Sequence, residues 1–91
     1  MSFTPDQIAE RGASAQMLLD NSTFNSVLND ILARGYGQWL ATNEREIRER
    51  EEFHARVRAI QGIRDELKQR VDSAAKQAAD QARREQRKRE I

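Results

Sequence analysis

Residues of this chain that could act as nucleophiles, acids, bases or metal ligands include His54, a set of 15 aspartates and glutamates, and serines 14, 22, 26 and 73. His54 is the only histidine, and cysteine is absent, so thiolate chemistry, disulfides and cysteine-based metal sites are excluded. A metal centre needs several ligands converging on one point. On a helix, His54 has Arg50 and Arg58 one turn to either side and Glu51 and Glu52 close by, which supplies no ligand spacing and suits a solvent or interface histidine. Paired carboxylates serve as general acid and base in many hydrolases. Here nearly every acid has an arginine or lysine one turn away, and a thin helical chain offers little concavity in which to desolvate one. The serines have no base within reach and no glycine-rich phosphate loop exists. The expectation is a chain that is no enzyme and takes no cofactor or metal.

Two further groups could bind rather than react. Phe24, Tyr36, Trp39 and Phe53 could stack on nucleic-acid bases, but their helical spacing assigns them to a core or an oligomer contact. Arg83, Arg84, Arg87, Lys88 and Arg89 form a basic run, diluted by Glu85 and Glu90. It could touch nucleic-acid phosphates or an acidic protein surface with salt-dependent affinity. Against a broad nucleic-acid role, the net charge is +1 and no helix-turn-helix or zinc-finger spacing is present. Residues 1–42 carry a charge of −2 and residues 43–91 a charge of +3, so polarity runs along the chain.

The elements that must position these groups are helical. Among 91 residues, 37% are hydrophobic and 34% charged, mean hydropathy is −0.91, and there is one proline. Such a balance favours exposed helix over a large packed core. The charges nearly cancel and the apolar residues keep helical spacing, which favours folding over disorder. No apolar run approaches the length of a membrane span, and the start MSFTPDQ lacks the basic and apolar segments of a leader, so no membrane partner is expected.

Thr4-Pro5-Asp6-Gln7 reads as a capped helix start, and helix one is expected over residues 5–20, with Ile8, Ala15, Leu18 and Leu19 as its apolar face. Gly12 weakens its middle by about 1 kcal/mol relative to alanine. Asp20-Asn21-Ser22-Thr23 is a turn followed by an N-cap, opening helix two over 23–41. Phe24, Val27, Leu28, Ile31, Leu32, Tyr36, Trp39 and Leu40 form one wide stripe on it. Gly35 and Gly37 permit a kink or a close approach by another backbone. Asn43 is read as the cap of a long helix three over 44–90. Along it run acid-before-base pairs one turn apart, among them Glu44 with Arg48, Glu46 with Arg50, Glu52 with Arg56 and Glu66 with Arg70. Phe53, Val57, Ile60, Leu67, Val71, Ala74 and Ala78 lie near a heptad seam, interrupted by Arg64.

The stretch Phe24-Asn25-Ser26-Val27-Leu28-Asn29-Asp30-Ile31, then Trp39-Leu40-Ala41-Thr42, then Arg48-Glu49-Arg50-Glu51-Glu52-Phe53 leading to Ala59-Ile60 and the Leu67 to Val71 turn, resembles small helical proteins encoded among the head and tail genes of tailed bacteriophages. The resemblance spans roughly residues 24–76. It implies a structural or assembly role, located in the virion or host cytoplasm, and carries no catalytic residues. Members of that group often have a proline in the turn after the tryptophan helix, which Thr42-Asn43-Glu44-Arg45 lacks.

The fold expectation is all-α: one helical domain over 1–91 in which helix two folds back on the first half of helix three as a hairpin with coiled-coil-like packing. Helix one acts as a peripheral clasp and residues 73–91 project, ordered by another chain. The competing arrangement is one nearly continuous helix from Ser22. The functional expectation is a phage-like structural or assembly protein whose apolar stripes meet a homo-oligomer partner or a larger virion protein. The alternative is a small inhibitor of a host or defence-system enzyme.

Overall fold

A computed structural model describes residues 2–43 and 45–90. Among them the chain forms three helices and no strand: α1 (Pro5–Leu19), α2 (Ser22–Leu40) and α3 (Ile47–Glu90). The start of α1 is a reciprocal capping box. Thr4 N–H donates to Gln7 Oε1 at 2.9 Å and Gln7 N–H donates to Thr4 Oγ1 at 3.2 Å, which satisfies two donors that a helix start leaves open. Asn21 caps α2, its Oδ1 accepting from Phe24 N–H at 2.7 Å.

Between α2 and α3 the helical ladder is interrupted by local bonds. The Trp39 carbonyl accepts from Thr42 N–H at 3.1 Å and from Thr42 Oγ1 at 2.6 Å. Asn43 Oδ1 accepts from Arg45 N–H at 2.9 Å and Asn43 O from Glu46 N–H at 3.1 Å. The nearly continuous helix from Ser22 is thereby excluded. The expected start of helix three also shifts. Asn43 is spent on an Asx turn, and the first helical carbonyl is that of Glu46, which accepts from Arg50 N–H at 3.2 Å, so α3 begins at Ile47. The expected role of Glu44, including its pairing with Arg48, lies outside the described residues.

The contacts gather into two compact units, Met1–Leu19 with Glu66–Ile91, and Asp20–Asp65. The unit Asp20–Asp65 is the hairpin. Its cross-links run antiparallel: Gly35 meets Phe53, Gln38 Oε1 accepts from Arg56 at 3.3 Å, and Asn29 Oδ1 accepts from Arg64 at 2.9 Å. Leu28 and Ile60 are its buried core. Arg64, which breaks the apolar seam in sequence, lies half-buried and directs its guanidinium to Asn29.

In the other unit α1 packs on the later part of α3. Ala15 and Leu67 are buried, Ile8 and Leu19 half-buried, and Leu18 is exposed. Gly12 allows the approach: a Cβ there would collide with the Ala74 side chain and lie 3.0 Å from the Arg70 carbonyl. The first part of the segment 73–91 thus has a partner within the chain, α1, where the expectation looked to another chain for its order. Ala74, Gln77 and Asp80 are at least half-covered, whereas Ala78 and every residue over 81–90 are exposed. The seam continues through Leu67, Val71 and Ala74, but beyond Ala74 the covered position is Gln77 and not the expected Ala78, a step of three where the heptad predicts four.

The glycines separate into two kinds. At Gly37 and Gly62 an added Cβ meets nothing within 4 Å, so Gly37→Ala and Gly62→Ala should each stabilise the chain by about 0.5–1 kcal/mol. Gly12→Ala should instead destabilise by about 1–3 kcal/mol through overpacking. Pairing it with Ala74→Gly should recover part of that loss. Urea unfolding of the single and double variants checks this, and purely additive effects at Gly12 and Ala74 would contradict the contact.

Candidate functional site

The densest group of side chains in the hairpin unit sits beside its turn. Helical spacing places Tyr36 and Trp39 one turn apart near the end of α2, and the turn returns Phe53 of α3 to meet them. Tyr36 and Trp39 stack at 6.0 Å between centroids, Trp39 and Phe53 lie 6.0 Å apart, and Tyr36 and Phe53 6.2 Å apart in a tilted arrangement. Such offset and tilted pairs are the favourable geometries for aromatic rings. Gly35 makes room, since a Cβ there would come within 3.1 Å of Phe53 Cδ2. The approach at Gly35 is thus by a ring, not by a backbone, and α2 runs through both glycines without a break.

Arg50 closes the group. Its Nε donates to Thr42 Oγ1 at 3.2 Å, and its guanidinium carbon lies 5.2 Å from the Trp39 ring centroid. The Thr42 hydroxyl therefore donates to Trp39 O and accepts from Arg50, tying the turn to both helices. The expected Glu46–Arg50 and Glu52–Arg56 pairs give way to contacts across the hairpin, because Thr42 and Gln38 lie within reach and an exposed ion pair gains little. Glu66–Arg70 is formed at 3.2 Å. Trp39 Nε1 is buried with no acceptor among the described residues, the one polar atom of this group whose burial is uncompensated there.

The anticipated interface residues divide by burial. Leu28, Ile60 and Leu67 are buried within the chain. Phe24, Ile31, Leu32, Trp39, Phe53, Val57, Val71 and Ala74 are half-buried, while Val27, Tyr36, Leu40 and Ala78 are exposed. Near the turn, Tyr36 keeps 52%, Leu40 59% and Ile47 62% of their surface exposed. Ile47 escaped the sequence reading because it stands alone among charged residues. The signal available was its position, first in a helix that starts beside the end of the apolar stripe.

Beside this apolar group a cavity of about 310 Å³ opens, floored by Gly35, Ala41 and Phe53 and edged by Glu46, Glu49 and Glu52. Arg56, also in its lining, is engaged by Gln38. His54 is exposed with its ring 5.9 Å from that of Phe53. The basic residues Arg83, Arg84, Arg87, Lys88 and Arg89 are exposed near the end of α3. Among the described residues no group of three or more His, Cys, Asp or Glu is arranged to hold a metal ion, and no helix is long and apolar enough to cross a membrane.

Phe53 and its neighbour separate the structural from the exposed ring. Phe53→Ala should cost about 3 kcal/mol, at the lower end for a large ring since Phe53 is half-buried, and should red-shift the emission of Trp39, the sole tryptophan. His54→Ala should stay within about 0.5 kcal/mol. Equal effects from the two substitutions would contradict the aromatic packing.

Compared with family models, with curated proteins and with solved structures, the chain finds no match in any of the three.

Proposed function

We propose that the chain is a non-enzymatic docking protein, built to present helical surface to another protein chain. The observation that carries this reading is the exposure of Tyr36, Leu40 and Ile47 beside the turn, next to an aromatic group that fixes their position. Large aliphatic and aromatic side chains held in the open on a rigid support are what an interface requires, and clustered exposed apolar surface commonly marks one. Val27, at 50% exposure on α2, extends the apolar surface of the same helix. The resemblance over residues 24–76 supports a structural or assembly role in a phage-like particle, against a larger virion component or another copy, in the virion or the host cytoplasm.

The test uses Leu40→Glu with Ile47→Glu. Both side chains are exposed, so unfolding free energy should change by no more than about 0.5 kcal/mol per site. Capture of capsid, portal or tail components by the native chain should be lost. Binding unaffected by the double substitution would sink the proposal, while specific recovery of a host enzyme in place of virion proteins would point to an inhibitor.

A further inference from the structure

Residues 81–90 of α3 are exposed on every side, and Ala82 is the only apolar side chain among them. Arg83 and Arg87 stand one helical turn apart, as do Arg84 and Lys88, and the two pairs adjoin, so four cations share one stripe of the helix. Glu85 and Arg89 fall away from that stripe, and Glu90 borders it beside Arg83 and Arg87. Arg83 is 74% exposed, and its contact with Asp80 is long, at 4.0 Å. A face of this kind has no apolar area to bury. Its occupant must supply anions, together with an apolar seat for the long aliphatic stems.

The same chain carries such a surface. The cavity at the hairpin turn is lined by Phe53, Ala41 and Gly35 and by the carboxylates of Glu46, Glu49 and Glu52, beside Arg56, which Gln38 engages. Glu52 reaches Arg48 only at 3.8 Å, in an exposed pair, and no ion pair to Glu46 or Glu49 forms among the described residues. An arginine side chain matches this arrangement, with its stem against Phe53 and its guanidinium at the carboxylates. We infer that the Arg83, Arg84, Arg87 and Lys88 stripe of one copy docks on the Glu49 and Glu52 edge of a second copy, with one arginine entering the cavity. The occupant is a second copy of the chain, because stripe and edge are complementary in charge, and a contact within one chain would leave the mass independent of concentration. Two different patches meet, which makes the contact heterologous, and further copies can add at either free patch. The inference rests on the docking reading above but uses charge where that reading uses apolar surface, so the two fail separately.

Sedimentation of the full chain over a concentration series, at low salt and at about 1 M salt, where the Debye length falls to about 3 Å, is the first measurement. Mass should grow with concentration at low salt and revert to monomer at high salt. Next come two charge-reversed chains, one with Arg83→Glu and Arg87→Glu, the other with Glu49→Arg and Glu52→Arg, each checked for native helicity by circular dichroism. Each alone should stay monomeric at low salt, and an equimolar mixture should associate again, since each chain then meets a complementary partner. A native chain that is monomeric at low salt overturns the inference. So does association insensitive to both reversals, which would leave only the apolar contact standing. Loss of association confined to the stripe variant also overturns it, pointing to a different acidic patch of the chain as the partner of the stripe.

Discussion

The carbonyl of Trp39 decides the hairpin. By accepting both the amide and the hydroxyl of Thr42, it replaces the next helical bond with a local one and ends α2. An apolar stripe continued along an unbroken helix would have no cover within its own unit. Turned back at this point, it meets Phe53, Val57 and Ile60 instead. The hydroxyl that closes the turn also accepts from Arg50, so the first turns of α3 are bound to the bond that released them from α2. Aromatic stacking, the seating of Phe53 over Gly35 and the exposure of Leu40 and Ile47 all follow from where that break falls.

What holds each unit is narrow. Leu28 and Ile60 are the buried apolar residues of the hairpin, and Ala15 and Leu67 those of the other unit. Cores this small fix the facing sides of two helices more firmly than their register, because sliding by a turn exchanges one small contact for another. Polar cross-links supply what the core leaves loose. Asn29 with Arg64 and Gln38 with Arg56 are directional and specific in length, so a slipped hairpin loses both. Each adds little stability in water, yet they discriminate against alternatives, the use to which polar residues at helix interfaces are best suited.

Much of this was legible in the residue order, and the failures share a cause. The capping box at Thr4 and Gln7 is set by bonds between near neighbours and could be read directly. The turn at residues 20–23 places the opening of α2 within one residue. The hairpin is favoured by its dense apolar periodicity over a continuous helix that the residue order alone left open. Asn43 was assigned to a helix cap when it makes an Asx turn, because the same short amide serves both and only the path of the following residues distinguishes them. Gly12 signalled a weak helix. It is in fact a place where α1 approaches α3 too closely for a Cβ, a role invisible in a residue with no side chain to suggest a partner. Of the alanines after Val71, Ala74 is covered as the seam predicts and Ala78 is not, since an extrapolated heptad fixes a four-residue step where the covered position falls at Gln77 instead. Arg64, conspicuous as a fault in the seam, marked a real cross-link whose partner could not be found without the fold.

The exposed end of α3 also has a kinetic character of its own. Starting a helix costs far more than lengthening one, and an isolated segment as short as residues 81–90 would stay largely unwound in water. Here the preceding turns serve as the nucleus, and the segment needs only to propagate. It should therefore fray and rewind within submicrosecond times, independently of the cooperative unfolding of the packed residues. The backbone over its arginines and lysine would then open to a trypsin-like protease without any loss of the fold behind it, leaving a trimmed chain whose boundary records where α1 stops supporting α3.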